Sequence, residues 1–417
     1  MVSKSQGRVL RAQGVNMSMY NFLFVIFVSY VLYGLSGNLL NSVWPKVAGD
    51  IGAAVALLGI VSTLCNITSG VTSAFVYKIR RKYGTNVTVS IGLVFMALSL
   101  ILYGVATNIY VIGAGFIMLG VGNAIVDVGA NSYVIKAYDA KKVSLLHACW
   151  GIGSSIGPMI MALSITFLND YRAGFAIGAT IIIVVFILMR FMKRKWEANK
   201  EKVAKEVVDL HSVSQEEKTS TKTFADIVKI DLALIVMICF FFGNAFNGLM
   251  NTWIATIYVE QRHLTVIEGA NLATVFFASL TITRIVLGFI GSNIKTKNVI
   301  LFGIILSIIG IGIMFFKSTN MNFLYLNVAI LGIGIAPIIP FFNHYLKDLF
   351  GENNVGEILG YCSIFSLTGI GISSFCATLV VRFFGIDVIQ IYIMVVVIIL
   401  LAIFSYIVYR ADKRAKI

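Results

Sequence analysis

Long apolar runs alternate with short polar breaks along almost the whole chain. Read for length and period, they predict twelve helices, numbered 1 to 12, at roughly 19–45, 52–76, 87–107, 109–135, 143–167, 172–192, 231–258, 267–291, 298–316, 321–346, 356–382 and 386–409. A run of about twenty residues crosses a hydrocarbon core of about 30 Å at about 1.5 Å per residue, whereas a barrel strand needs only about ten. The pattern therefore predicts an all-α membrane protein with twelve transmembrane helices. It fails over one long polar stretch, Lys193 to Lys229, which divides the chain into a six-helix bundle at 1–192, a linker at 193–230 and a second six-helix bundle at 231–417.

The two bundles repeat one another. Residues 119–133 read LGVGNAIVDVGANSY, and 212 positions later residues 331–345 read LGIGIAPIIPFFNHY, with six identities in fifteen ungapped positions. Gly92 of helix 3 corresponds at nearly the same offset to Gly303 of helix 9. Six helices leave both bundles in the same orientation, so the repeat is parallel, with its axis along the membrane normal. The copies differ in one telling place, where Asp127 of the first stands opposite Ile339 of the second.

Composition agrees with a membrane class: 58% of the residues are hydrophobic and 12% charged, about half the charged share of soluble domains. The net charge of +14 would suit nucleic acid, but the positions of the charges exclude that partner. Of the 33 Lys and Arg, all but Lys46, Arg172, Arg262, Arg284, Lys317 and Arg382 fall in the first tail, alternate loops and the C-terminus. This is the positive-inside pattern and predicts both termini in the cytoplasm. The five cysteines lie in predicted helices without metal-type spacing, and no metal site is expected. Without GxxxxGK[ST] there is no direct use of ATP, and no cofactor is expected.

Asparagines mark the helices that should face a cavity. Helix 1 carries Asn38 and Asn41, helix 4 carries Asn123 and Asn131 around Asp127, helix 7 carries Asn244, Asn247 and Asn251, and helix 10 carries Asn343 beside His344. Spacings of three, four and seven put each set on one face. A single intramembrane amide reads most simply as glue between helices, but four stripes on four helices spaced three apart read as the wall of a central cavity. Trp44 lies three residues after Asn41 and could stack on a sugar ring, although an interfacial belt is the plainer account of any Trp here.

Asp127 lies nine residues from Lys136, about 13 Å of rise, which places it near the bilayer midplane. Keeping a carboxylate charged at that depth costs about 2.5–3.5 kcal/mol on insertion scales. Asp127 is therefore the candidate proton carrier, with interhelical bonding as the competing account. His147 reads as a capping, relay or gating residue near the end of helix 5. Arg284 of helix 8 reads as a residue that snorkels to the interface or gates.

Several segments carry a resemblance. KIRRKYGTN (78–86), DVGANSY (127–133), LHACWGIGSSIGP (146–158) and LGIGIAPIIP (331–340) resemble the loop after helix 2 and helices 4, 5 and 10 of the fucose permease-like and glucose/galactose transporter-like carriers, a branch of the major facilitator superfamily. The resemblance implies the superfamily's fold, a central cavity lined by helices 1, 4, 7 and 10, and Asp127 as the protonatable carboxylate. The branch often has a second acid four residues before a proline of helix 1, where this chain has Asn41 before Pro45.

The expected protein is a monomeric secondary transporter and not an enzyme, sited in the lipid bilayer of a bacterial inner or plasma membrane. Its expected partners are a small-molecule solute and protons. Amides both donate and accept and so suit vicinal hydroxyls, which favours uptake of a neutral polyhydroxylated solute such as a monosaccharide. The competing reading is export of amphipathic drugs or lipids.

Overall fold

The computed structural model describes residues 3–137, 140–190, 224–290 and 294–414, and among these there is helix but no strand. The expected linker, 193–230, lies outside the described residues up to residue 223; beyond it comes the short helix Phe224–Val228. The spanning elements are α1 (Leu23–Asp50), α4 (Ile109–Val134), α5 (Leu145–Leu168), α6 (Tyr171–Arg190), α7 (Ala233–Arg262), α8 (Val266–Phe289), α9 (Thr296–Met314), α10 (Met321–Gly351), α11 (Asn354–Phe384) and α12 (Ile386–Arg414). Elements α2 and α3 are the two parts of one helical stretch, Leu57–Val105.

That stretch of 49 residues would be about 74 Å long if straight, more than twice the hydrocarbon core. It divides at Gly84, whose φ of 80° and ψ of 166° are non-helical. Gly351, with φ 68° and ψ 177°, separates α10 from α11 in the same way. A side chain would be strained at either position, so each reversal is compressed into one glycine. The expected loops around 77–86 and 347–355 are accordingly helical up to that single residue. The even number of crossings brings the start of α1 and the end of α12 to one end of the bundle, called the terminal end below.

Within the first half α1 packs on α5, and α2 and α3 pack on α4; within the second, α7 packs on α11, and α8 and α9 pack on α10. The halves meet through α5 against α8, α2 against α11 and α1 against α7. The repeat seen in the sequence extends to backbone contact. A Cβ on Gly92 would lie 3.0 Å from the Gly122 carbonyl oxygen, and one on Gly122 would lie 2.9 Å from that of Gly92. In the second half the same pair is Gly303 and Gly334, at 2.7 and 3.0 Å. Small residues let these helices cross backbone to backbone.

One difference breaks the symmetry. Helix α4 is continuous, whereas α10 is interrupted between Ile335 and Ile338 by turn residues Ala336 and Pro337. Pro340 has no N–H to give the carbonyl four residues earlier, so Ala336 keeps a free backbone acceptor at membrane depth.

Candidate functional site

The polar side chains of the middle form two layers. Further from the terminal end, Asn38, Asn41 and Ser42 of α1 meet Asn251 and Ile254 of α7, with Pro158 of α5 and Phe277 of α8, around a crevice too narrow for a water molecule. Asn38 is 5% exposed and donates to its own helix at Gly34, 3.2 Å. Asn41 donates to Gly37 at 3.4 Å, but its Oδ1 is buried without a donor among the described residues. The Oδ1 atoms of Asn123, Asn131, Asn247 and Asn251 are buried and unmatched in the same way. Asn244 differs, because its amide donates to Phe240 O at 3.0 Å and to Ser366 Oγ of α11 at 2.9 Å. It therefore ties α7 to α11.

The second layer lies nearer the terminal end and holds the charges. Asp127 Oδ1 accepts a hydrogen bond from the Tyr30 hydroxyl at 2.5 Å, joining α4 to α1. The Tyr30 ring stands edge-on to His147 of α5, with centroids 5.9 Å apart, and to Tyr33, at 5.7 Å. His147 is exposed and within electrostatic reach of both Asp127 and Arg284. Arg284 of α8 lies over the Trp150 ring of α5, 5.8 Å from its centroid, and its Nε donates to Ala336 O at 3.3 Å. That carbonyl is the one Pro340 leaves free. Arg284 thus does not snorkel to an interface; it is held inside, between the two halves, by an aromatic face and an orphan carbonyl.

Two expectations, both about tryptophans, need correction. Trp44 is fully buried, and its indole Nε1 donates to Val55 O at 2.8 Å, so this ring closes the turn between α1 and α2 and presents no face to a solute. Trp253 is likewise fully buried and belongs to no interfacial belt. Asn343 and His344 are exposed, whereas Asn131, the repeat counterpart of Asn343, has a buried amide oxygen. The two repeat-related asparagines do not occupy matching environments.

Tyr30, Trp150 and the Ala336 carbonyl were missed in the sequence, and each had a signal. Tyr30 extends the Asn38–Asn41 face of α1 by two turns, but tyrosine merges with the apolar run around it. Trp150 follows His147 by three residues on one face of α5. A proline within a spanning helix always frees a carbonyl one turn earlier.

Two repeated six-helix bundles packed around buried polar layers are the architecture of a solute carrier, and the family match agrees. The chain belongs to the major facilitator superfamily, whose description matches residues 26–273 and 258–417. Among curated proteins it is 23% identical over 383 residues to the sialic acid transporter NanX of Escherichia coli (strain K12), covering 90% of each. Among solved structures it is similar to the nucleoside transporter NupG, with TM-score 0.71 and 13% identity over 92% of this chain and 98% of that one. It is also similar to a peptide transporter, POT, with TM-score 0.68 and 13% identity over 94% of both chains. The protein is thus an integral membrane transporter of small molecules rather than an enzyme.

Proposed function

We propose that this transporter couples proton movement through Asp127 to uptake of a polyhydroxylated solute held by the asparagines of α1, α4 and α7. One observation carries the reading. Five amide oxygens, on Asn41, Asn123, Asn131, Asn247 and Asn251, are buried without a donor. An unmatched buried acceptor costs about 1–3 kcal/mol, and a solute rich in hydroxyls supplies donors to those within its reach. NanX carries sialic acid, by its name, and sialic acids are polyhydroxylated sugars.

In this reading the units 1–192 and 231–417 rock about the polar layers, with both termini in the cytoplasm of a bacterial cell. The shut crevice beside Asn41 and Asn251 fits a state closed towards the outside. Asp127, bonded to a neutral hydroxyl and to no cation within ion-pair distance among the described residues, is free to exchange a proton. Proteoliposomes under an inward proton gradient should accumulate a labelled sugar, and Asp127→Asn should abolish accumulation while sparing solute exchange. Accumulation by the variant equal to that of the original protein would remove the proton role.

A further inference from the structure

We propose that Arg284 receives a carboxylate, so that the solute is an acidic sugar travelling with one proton as an electrically neutral pair. The proton half of this statement rests on the role of Asp127 given above. A neutral solute was favoured from the sequence because amides suit hydroxyls and Arg284 read as a residue that snorkels or gates; its position beside Trp150, between the halves, brings a cation to the polar layers.

A guanidinium has five N–H donors in a fixed planar fork. In Arg284 only Nε is engaged, in one bond of 3.3 Å to Ala336 O, and no carboxylate lies within ion-pair distance of it among the described residues. A cation at membrane depth with most of its donors unused is costly unless a ligand uses them. Trp150 lies beside the group, its ring centroid 5.8 Å from the guanidinium carbon, and the Nη donors, unpaired among the described residues, suit the bidentate grip of a carboxylate. Trp150 in turn touches Phe277, with centroids 6.4 Å apart, and Phe277 lines the asparagine crevice. One sugar acid can therefore set its hydroxyls among the asparagines and its carboxylate on Arg284.

Counting charge gives the coupling. With Asp127 ionised and His147 neutral, the inner layer holds one negative and one positive group and has no net pull on an anion. With Asp127 protonated, Arg284 is uncompensated and attracts one. Proton and carboxylate therefore strengthen each other's binding, by linkage. The loaded carrier moves one proton and one negative charge together, with no net charge across the membrane.

The test uses the purified full chain with glucuronate and glucose, whose rings differ only in the carboxylate, and with N-acetylneuraminate. Tryptophan fluorescence, which Trp150 reports, should show the acids binding at least tenfold more tightly than glucose. Arg284→Gln should erase that preference, and Arg284→Lys should keep part of it. In proteoliposomes, uptake of the acid should respond to a pH gradient and remain unchanged by a potassium–valinomycin potential. Glucose binding as tightly as glucuronate, or Arg284→Gln leaving acid binding within twofold, overturns the carboxylate site. Acid uptake that follows the potential overturns the one-to-one pairing. If Asp127→Asn accumulates acid normally while Arg284→Gln loses binding, the proton role falls and the carboxylate site stands.

Discussion

Helices α4 and α10 repeat one sequence and offer the centre of the molecule opposite things. Helix α4 is continuous and presents a carboxylate, Asp127, capped by the Tyr30 hydroxyl. Helix α10 has Ile339 at that position, breaks at Ala336 and Pro337, and presents a bare backbone carbonyl that a cation from α8 occupies. The same offset places Thr72 of α2 opposite Arg284 of α8. Each half has thus kept one charge where the other is neutral. The small residues behind these faces did not diverge: Gly92 with Gly122 and Gly303 with Gly334 hold the same close crossing. Duplication preserved what positions the helices, and the surface turned to the centre was left to specialise.

The strongest challenge to this comparison is to move the acid. The double variant Asp127→Ile with Ile339→Asp keeps the number of carboxylates but removes the acid from Tyr30. Proton-driven accumulation should fall by more than tenfold and not recover, as measured by uptake under a pH gradient; normal uptake would mean that the half carrying the acid is immaterial. The shared scaffold is tested by Gly122→Ala and Gly334→Ala. Their added methyl groups would meet Met96 at 2.8 Å and Ser307 at 2.6 Å, besides the facing glycine carbonyls. Overpacking of this kind costs about 1–3 kcal/mol, so both should lower the unfolding midpoint in detergent, and to similar extents. Tolerance of one alone would confine the repeat to sequence. The gentlest change is Pro340→Ala, which returns an N–H to the Ala336 carbonyl and takes that acceptor from Arg284. Loss of about 1 kcal/mol should weaken glucuronate binding about fivefold without lowering thermal stability.

The helices and their repeat could be read from the sequence because lipid imposes length and apolarity on every crossing, and the asparagine faces stood out against that background. Two kinds of feature could not. Single-glycine reversals at Gly84 and Gly351 look like polar loops, because the residues around them are charged although helical. Contacts between helices were also hidden: the Tyr30–Asp127 bond and the Arg284–Trp150 contact join residues far apart in sequence. Hydropathy counted Tyr30 as apolar and Arg284 as a surface charge. Trp44 misled for a related reason, since a tryptophan near a helix end suits an interface in general, and only the position of the Val55 carbonyl shows that this ring is turned inward.

The narrow crevice between Asn41 and Asn251 has a consequence for the cell's energy. Protons pass through proteins most readily along files of water, and a gap that admits no water cannot hold such a file. On the proposed proton role of Asp127, an idle carrier in this shape offers no such file past the asparagines. In that reading the pH difference is spent only when a solute parts them.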